Sequence, residues 1–434
     1  MGMHRSEGAT ALLGMDGFVV GAQLEVDGEV WLSVETTADV AGCEACGTRA
    51  VGHGRRVVRV RDMPVGDRHT VLVWRKRIWR CPEPDCEVCT FSEDTDAVAP
   101  RAVATERARA EMCRRVGQDG HSVAQVARAF GVSWHAAMAA VVDHGRPRVD
   151  HLSRLRLPNA IGLDETSFLA ATATHPTLLV SGFVDLDRHR LIDVVAGRSA
   201  AAVSSWLAAK PSAWLAGIAT VVIDPYAGYA QGLAEGLPHA RLVVDHFHAV
   251  RLANQALDEV RRRVQQQTLG HRGRRHDPLY RARRRLLTSH ERLGAEAWAR
   301  VSSLLDAGDP AGEVGAAYLA KELLREVYAT TSLRLARRRL ERFYRHCRHA
   351  EVHELARLAR TIRRWEGPIL AWHTTWLTNG PTEAVNLLVK KIKRVGHGFR
   401  NFDNYRLRLL LHCGVRWQTR PAASMRRRQP RFVA

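Results

Sequence analysis

The sequence has no long apolar run. No uncharged apolar stretch reaches the roughly 18 to 20 residues that a helix needs to cross a bilayer. The apolar stretch near the N-terminus, residues 9–24, is interrupted by Asp16 and has no convincing signal-peptide cleavage pattern. We therefore expect a cytoplasmic protein that does not span a membrane.

Acidic residues are scarce relative to basic ones. The 434-residue chain carries 45 Asp and Glu against 65 Lys and Arg, which gives a formal net charge of +20 at pH 7. Such an excess favours a polyanionic partner, because cationic side chains that neutralise phosphates release condensed counterions. Nucleic acid is the expected partner, although a basic surface that is only solvated, or that faces a membrane, would give the same total.

Cysteines are few and unevenly placed. Five of the eight fall in the first hundred residues in two close groups, Cys43 with Cys46, and Cys81 with Cys86 and Cys89. In an intracellular protein such spacing indicates a metal site before disulfides. Cys43, Cys46, Cys81 and Cys86 suit a zinc ribbon, with Cys89 as an alternative fourth ligand. This zinc would be structural, since four thiolates leave no open position for catalysis.

The segments around the cysteines have strand patterns. Residues 23–34 alternate in polarity around Asp27-Gly28, which predicts a hairpin turn. Between the cysteine groups, basic and apolar residues alternate, and Trp74 and Trp79 lie among them. This basic ribbon, together with its two tryptophans, is a candidate DNA-contacting surface, although a solvated face would look the same.

A helical pattern follows from about residue 100 to 147. Ser122 and Ser133 stand at N-cap positions of two short helices that are joined at Gly131. A helix, a glycine-centred turn and a second helix describe the helix–turn–helix motif, whose second helix enters the major groove of DNA. The second helix is poor in Arg, Asn and Gln, which suit base-edge readout best, and small helix pairs also occur in proteins that do not bind DNA.

Two acidic residues follow buried-strand patterns further along the chain. Asp164 comes after Asn159-Ala-Ile-Gly-Leu, and Asp224 after Thr220-Val-Val-Ile. Strands are predicted at 159–164, 177–184, 190–195, 219–223 and 241–244, with helices at about 199–209 and 227–235. Three consecutive strands followed by alternating helices and strands match a ribonuclease-H-like α/β fold. In that fold the first and fourth strands are adjacent, which would bring Asp164 and Asp224 together.

A third acid, Glu383, opens a later helix. With Gly380 as its cap and Pro381 at its first position, Glu383 falls in the first turn, where the helix dipole alone would also favour an acid. Asn386, Lys390 and Arg394 share its face at helical spacing. We expect Asp164, Asp224 and Glu383 to hold two divalent metals for phosphoryl transfer on DNA.

Asp245 is the rival for the second acid. It also ends a strand-like run and stands beside His246 and His248, which are either metal ligands or the ordinary start of a packed helix. Glu165 should point to the opposite face of its strand from Asp164 and is not expected to bind metal.

The chain therefore divides into six predicted segments. A zinc-binding domain (1–98) and a helix–turn–helix (99–150) precede the first part of the catalytic domain (151–248). An Arg-rich helical insertion (249–376) follows, with Trp298, Trp365, Trp372 and Trp376 as candidate core residues. The C-terminal helices of the catalytic domain (377–415) and a basic tail (416–434) complete the chain.

These motifs together resemble the insertion-sequence-L-three family of DDE-type bacterial transposases over nearly the whole length. The shared features are the paired cysteines, the helix–turn–helix, Gly162-Leu-Asp164-Glu, Val222-Ile-Asp224, Val243-Val-Asp-His-Phe-His248, Asn379-Gly-Pro-Thr-Glu383, Lys390-Lys-Ile-Lys-Arg394 and Gly398-Phe-Arg-Asn-Phe402. The sequence departs from the family pattern at Cys89, an extra cysteine, and at Pro225, directly after the second acid.

The resemblance implies a transposase that binds the ends of an insertion sequence, cuts there and joins the freed 3′ ends to target DNA. It implies Asp164, Asp224 and Glu383 as catalytic residues, Mg²⁺ or Mn²⁺ as catalytic ions, structural Zn²⁺, and a dimer or higher oligomer in the synaptic complex. The C-terminal cations Lys390, Lys391, Lys393, Arg394 and Arg400 are expected to contact double-stranded DNA. The protein itself is expected to associate with the bacterial nucleoid. The alternatives are a zinc-containing DNA-binding regulator with an inert nuclease-like domain, and a nuclease that cuts without joining.

Overall fold

The computed structural model of the chain describes residues 7–151 and 154–417. The strands are β1 (Phe18–Val26), β2 (Glu29–Thr36), β3 (Val51–Val65), β4 (Arg68–Arg80), β5 (Thr90–Ser92), β6 (Ala160–Leu169), β7 (Leu178–Asp185), β8 (Arg190–Ala196), β9 (Thr220–Ile223) and β10 (Arg241–Val243). The helices up to the second sheet are α1 (Glu7–Leu13), α2 (Glu106–Gly117), α3 (Val123–Phe130) and α4 (Trp134–Asp150).

The later helices are α5 (Ala200–Ala208), α6 (Ser212–Ala216), α7 (Ala227–Gly236), α8 (His246–Leu269), α9 (Pro278–Leu286), α10 (Ala295–Gly308), α11 (Glu313–Tyr328), α12 (Leu333–His349), α13 (His353–Arg364), α14 (Glu366–Thr375), α15 (Gly380–Val395) and α16 (Phe402–Leu409). The chain forms two compact units. The first unit comprises Met1–Leu155 with Leu388–Ala434, and the second unit comprises Arg156–Leu387. Helix α15 contributes residues to both.

The first unit contains a five-stranded sheet with the order β1-β2-β4-β3, and β5 pairs with β4. The predicted hairpin turn between β1 and β2 is confirmed: Asp27 and Gly28 both have positive φ, at 50° and 77°. Gly, Asn and Asp are favoured at such positions, because most other side chains are strained at positive φ. The core of this sheet is built from Phe18, Val34, Leu72 and their apolar neighbours.

Trp74 and Trp79 do not contribute to an exposed face of the basic ribbon. Both side chains are buried, at 1% and 7% exposure. The ring of Trp74 packs edge-on against Phe18. Both rings of β4 are thus buried, while Arg68 and Arg80 at the two ends of this strand are exposed.

Helices α2, α3 and α4 pack together in the same unit. The predicted caps are confirmed, because the Ser122 side chain accepts a hydrogen bond from Gln125 N and the Ser133 side chain accepts one from Ala136 N. Gly131 ends α3 with φ at 63°, as a glycine at this position of a helix–turn–helix allows. The three lone cysteines, Cys113, Cys347 and Cys413, are buried as expected.

The second unit contains a sheet with the order β10-β9-β6-β7-β8. β6, β7 and β8 are antiparallel neighbours, while β9 runs parallel to both β6 and β10. The predicted adjacency of the first and fourth strands is thus confirmed for β6 and β9. One detail differs: β6 does not stop at Asp164 but continues to Leu169, because its pairing with β7 extends past the point where β9 ends.

Helices α8 to α14 follow this sheet, and no strand occurs between α8 and α14 in the described part of the chain. Trp365 is buried as expected for a core residue, but Trp376 is 49% exposed, so its assignment to the core is wrong. Trp376 ends α14 in a left-handed conformation, and this turn directs its ring outward. Helix α15 begins at Gly380, one residue earlier than predicted, so Asn379 takes the place before the helix.

Within the described ranges, no helix combines the length and the apolar character needed to cross a membrane. The predicted basic tail, 416–434, lies outside the described residues from position 418 onward.

Candidate functional site

Asp164 lies within β6 and is only 8% exposed. Its Oδ2 accepts a hydrogen bond of 2.5 Å from the side-chain amide of Asn386, and its Oδ1 accepts one of 2.7 Å from the backbone N–H of Glu165. The strand opposite carries Gly182 at the paired position, so no side chain of β7 crowds it there. The first acid is therefore buried but held by two donors.

Asp224 follows the last residue of β9 and is 7% exposed. Arg251 donates to its Oδ2 at 3.1 Å. The ring Nδ1 of His248 lies 2.5 Å from its Oδ1, but the two atoms are not aligned as a hydrogen bond. Asp224 Oδ1 is therefore a buried carboxylate oxygen that lies beside an imidazole and has no aligned donor in the described structure.

Glu383 lies in the first turn of α15 and is half-buried. The start of this helix packs closely on β6 at Gly162, two residues before Asp164. A Cβ built on Gly162 would lie 2.1 Å from Thr382 Oγ1 and 3.2 Å from Asn379 Oδ1. Because real Cβ atoms do not approach other atoms so closely, only glycine lets the third acidic segment sit against the first.

The three acids influence one another electrostatically. Burial, then the charge of Asp224, and to a lesser extent that of Glu383, raise the pKa of Asp164 to about 6. Burial opposes the charged form of His248, yet the neighbouring Asp224 raises the pKa of that imidazole above its ordinary value. The raised pKa of Asp164 is expected where carboxylates converge, and the raised pKa of His248 is expected beside a carboxylate.

The three carboxylates nevertheless do not form a tight cluster. In the described residues, one group of three or more His, Cys, Asp or Glu side chains has all its ligand atoms within 4.8 Å of one another. This group consists of cysteines. Asp164 and Asp224 instead bind Asn386 and Arg251. The fold thus brings the three acids to one site, within electrostatic range, and leaves them engaged with other side chains.

Asp245, the rival second acid, has a different role in this structure. It is 3% exposed and stands at the N-cap of α8, where its Oδ1 accepts hydrogen bonds from Phe247 N and His248 N. Glu165 pairs with Arg198 at 2.8 Å. Both carboxylates therefore have structural partners outside the group of three acids.

The cysteine group lies in the first unit and consists of Cys43, Cys46, Cys81 and Cys86. The Sγ atoms of Cys43 and Cys86 are 3.6 Å apart, and those of Cys46 and Cys81 are 3.5 Å apart. A tetrahedral ion with Zn–S bonds of about 2.3 Å requires sulfur separations of about 3.8 Å, so the four thiols fit it. Cys89 is exposed and is not part of this group.

The C-terminal cations are placed on or after α15. The side chains of Lys390, Lys391, Arg394 and Arg400 are exposed, and that of Lys393 is half-buried. Asn386, which the helical spacing groups with Lys390 and Arg394, is buried and bonded to Asp164. The stripe on this helix therefore changes from a buried amide to exposed cations along its length.

Comparison with known families covers most of the chain. A model described as "Transposase", for the DDE transposases of the ISL3 family, matches residues 161–409. Residues 39–86 match the zinc finger of the transposases of IS204, IS1001, IS1096 and IS1165, and residues 93–145 match the helix–turn–helix domain of transposase family ISL3. The chain belongs to the ISL3 transposase family. It is accordingly a DNA-binding transposase, with a zinc ribbon and a helix–turn–helix ahead of the transposase domain.

Individual relatives agree with this assignment. The chain is 25% identical over 387 residues to the transposase for insertion sequence element IS1001 of Bordetella parapertussis, covering 87% of this chain and 89% of that protein. It is 27% identical over 293 residues to the transposase for insertion sequence element IS1557 of Mycobacterium tuberculosis, covering 62% of this chain and 63% of that protein. The zinc-finger match and the four-cysteine group together support a structural zinc ion.

Sequence reasoning missed the contacts that hold the acids. The sequence patterns leave His248 as either a ligand or a packed helix residue, group Asn386 with the cations on one face of a helix, and indicate no role for Arg251. These side chains contact acids that are 24, 222 and 27 positions away along the chain. The one available signal was the spacing of His248 and Arg251, which places both on one face of α8.

Proposed function

We propose that Asp164, Asp224 and Glu383 hold divalent metal ions and so catalyse DNA strand cleavage and strand transfer at the ends of an insertion sequence. The observation that carries this proposal is the parallel pairing of β6 with β9. In this pairing Leu163 is opposite Ile223, so Asp164 and Asp224 are the next residues along the two strands, and each is less than a tenth exposed. Burying two carboxylates whose charges are only partly neutralised is unfavourable for folding unless a cation binds to them.

The donor set fits Mg²⁺ or Mn²⁺. Both ions prefer carboxylate oxygens, and Asp224 Oδ1 is buried without an aligned hydrogen-bond donor in the described structure. The half-buried Glu383 would complete the set from α15. When bound, two such ions would activate the attacking oxygen and neutralise the charge that develops on the leaving oxygen.

The side chains around the acids position them for this chemistry. Asn386 orients Asp164 through its hydrogen bond to Oδ2, which leaves the other lone pairs of that carboxylate available. Arg251 neutralises part of the charge on Asp224 when no metal is present, and His248 lies against the other oxygen of that carboxylate. Burial of both acids restricts water, which strengthens electrostatic interactions with the reacting phosphate.

We propose further that the transposase domain has a ribonuclease-H-like fold, with a helical insertion at 249–376 and C-terminal helices at 377–415. The strand order β10-β9-β6-β7-β8, with an antiparallel β6–β8 half and a parallel β9–β10 half, supports it. The proposed boundaries of the preceding domains are 1–98 for the zinc-binding domain and 99–150 for the helix–turn–helix.

We assign the zinc ligands to Cys43, Cys46, Cys81 and Cys86, since these four sulfurs approach one another. We assign DNA-backbone contacts to Lys390, Lys391, Lys393, Arg394 and Arg400. These cations would act by phosphate neutralisation, which is independent of sequence. We also propose that the protein acts on nucleoid DNA in the cytoplasm, and as a dimer or higher oligomer when it holds two ends.

A cleavage assay tests the catalytic assignment. Supercoiled plasmid carrying the candidate end sequences is incubated with Mg²⁺ or Mn²⁺ and either the wild type or Asp164→Ala, Asp224→Ala or Glu383→Ala. We expect each variant to lose cleavage and strand transfer while it still retards end DNA in a gel. Cleavage that survives all three changes refutes the assignment. Cleavage without joined products in the wild type would indicate a nuclease, and the absence of both would indicate a binding protein.

A further inference from the structure

The N-terminus of α8 and the segment before α15 are joined by a pair of buried hydrogen bonds. Asp245 Oδ2 accepts a hydrogen bond of 2.9 Å from the backbone N–H of Asn379. The side-chain amide Nδ2 of Asn379 lies 2.8 Å from His248 Nε2, where it donates to the ring nitrogen. Asp245, His248 and Asn379 are 3%, 1% and 1% exposed. Residues more than 130 positions apart are thus fixed to each other at two points.

Each end of this connection leads to one of the acids. His248 presents its other ring nitrogen, Nδ1, to Asp224 Oδ1 at 2.5 Å. Asn379 O accepts the hydrogen bond of 2.9 Å from Glu383 N that starts the first turn of α15. The path Asp224, His248, Asn379, Glu383 is therefore continuous, through one side-chain contact, one side-chain hydrogen bond and one helical hydrogen bond.

Asp245 has a geometry that capping alone does not require. Its Oδ1 serves as the N-cap of α8, accepting from Phe247 N at 2.9 Å and His248 N at 3.3 Å. Its Oδ2 is then used wholly for Asn379 N. An N-cap needs one side-chain oxygen, and Asn or Ser would supply it equally well. The second oxygen is what only a carboxylate can add here.

We infer that Asp245, His248 and Asn379 form a clamp that sets the position of Glu383 relative to Asp224, and that Asp245 and Asn379 are positioning residues for the metal ions. The inference rests on the proposed metal-binding role of the three acids. Without the clamp, the start of α15 is held on this sheet by its packing at Gly162 and by the hydrogen bond from Asn386 to Asp164. Residues that orient metal ligands typically change metal affinity by 10- to 100-fold when they are replaced.

Two substitutions break the clamp at separate points. Asp245→Asn keeps an oxygen for the cap of α8, but its amide N–H₂ cannot accept from Asn379 N. Asn379→Ala keeps the backbone N–H that binds Asp245 and removes only the amide that binds His248. Asn254→Ala is the matched control, since Asn254 lies on α8 and its side-chain oxygen has no hydrogen-bond partner in the described structure.

The test measures Mn²⁺ binding to the full-length protein by electron paramagnetic resonance, and in parallel the Mn²⁺ concentration that half-saturates DNA cleavage. We expect Asp245→Asn and Asn379→Ala each to raise the dissociation constant for Mn²⁺ and the half-saturating Mn²⁺ concentration by about tenfold or more. Saturating Mn²⁺ should restore most of the cleavage rate, and binding of end DNA should stay at the wild-type level. The double variant should bind Mn²⁺ less tightly than the wild type. The loss in affinity should be smaller than the product of the two single losses, because both changes release the same segment.

Three results would overturn the clamp. The first is that Asp245→Asn and Asn379→Ala both bind Mn²⁺ with the affinity of the wild type and of Asn254→Ala, whatever happens to the cleavage rate. Loss of Mn²⁺ binding at every concentration in Asp245→Asn alone would make Asp245 a ligand itself. Normal affinity with a reduced rate at saturating Mn²⁺ would indicate a role in chemistry and not in positioning.

Failure of the underlying proposal gives a separate result. If Asp164→Asn and Asp224→Asn bind Mn²⁺ as the wild type does, the metal site is elsewhere and the three acids are misassigned. If those two variants lose Mn²⁺ binding while the clamp variants keep it, the metal site stands and only the clamp fails. Circular dichroism and a thermal unfolding midpoint close to that of the wild type show in every case that the variant is folded.

Discussion

The two candidate metal centres of this transposase are prepared for metal in different ways. The four thiols of the ribbon already lie within 4.8 Å of one another, whereas the three carboxylates do not and bind other side chains instead. Neutral thiols can be packed together without a cation, but three carboxylates repel one another. The comparison teaches that the fold assembles the four-thiol site in advance, whereas the acidic site, under the proposed assignment, is completed by its ions.

The largest effect should come from breaking the closed site. Cys81→Ser removes one of four zinc ligands, and structural zinc contributes on the order of 10 kcal/mol to folding of small metal domains. We expect the variant to lose bound zinc, the folded ribbon and binding to end DNA. Zinc content by elemental analysis and gel retardation measure this.

Cys89→Ser is the matched control, because Cys89 is a nearby exposed thiol outside the group of four. It should keep about one zinc per chain. Equal loss of zinc in both variants would mean that Cys89 is a ligand and would contradict the assignment of Cys86.

The second effect concerns the repulsion stored in the acidic site. The pKa of Asp164 is raised from its ordinary 3.8 to about 6, so the folded state binds this proton more tightly than the unfolded chain does. The stabilisation of the folded state by this proton is complete below the pKa of Asp164 in the unfolded chain. It is lost as the pH rises through about 6. Above that pH the ionised side chain costs at most about 3 kcal/mol.

Asp164→Asn should therefore raise the free energy of unfolding at pH 8 in buffer without Mg²⁺ or Mn²⁺, and the gain should disappear at pH 4. Adding Mg²⁺ should stabilise the wild type but not the variant. Urea unfolding followed by circular dichroism measures these differences. Glu165→Gln, which changes the neighbouring acid that pairs with Arg198, should show neither effect. A destabilised Asp164→Asn at pH 8 would count against stored repulsion.

The third effect tests the close packing between the acidic segments. Gly162→Ala would force Thr382 and the start of α15 away from β6, with an expected destabilisation of about 1–3 kcal/mol and loss of most cleavage activity. Gly182→Ala is the control on the adjoining strand, where a Cβ would meet its nearest neighbour at an ordinary 3.7 Å. Thermal unfolding and the cleavage assay measure both. Equal tolerance of the two changes would show that α15 does not depend on this contact.

The smallest effect concerns the cation that stands beside Asp224. The side chain of Arg251 is 58% exposed and would compete with a metal ion for Asp224. Exposed ion pairs contribute about 0.2–1 kcal/mol to stability. Arg251→Gln should therefore increase Mn²⁺ affinity by up to about fivefold. Arg262→Gln, on the same helix with 56% exposure and paired with Asp258, should leave it unchanged. Weaker Mn²⁺ binding in Arg251→Gln would mean that Arg251 supports the metal site and does not compete with it.

Much of the fold could be predicted from local pattern. The strands around Asp164 and Asp224, the Asp27-Gly28 hairpin and the caps at Ser122 and Ser133 follow from apolar periodicity and turn chemistry. Short-range rules suffice there because each element is specified by its own residues. The family resemblance, which comparison with known families confirms, rests on the same local motifs.

The parts that could not be predicted depend on contacts between distant residues. Periodicity gave no sign that Trp74 would be buried and Trp376 exposed, because each outcome is decided by packing partners elsewhere. The second oxygen of Asp245 finds its donor at Asn379, and Asp164 finds its amide at Asn386. A sequence shows which residues can form such bonds, but only the folded chain shows which pairs meet.

Anomalous X-ray diffraction from crystals of the protein bound to end DNA and soaked in Mn²⁺ would test the metal-binding role of the three acids most directly. We expect two manganese peaks about 4 Å apart, coordinated by carboxylate oxygens of Asp164, Asp224 and Glu383. Manganese peaks bound by other side chains, with these three carboxylates outside coordination distance, would contradict it.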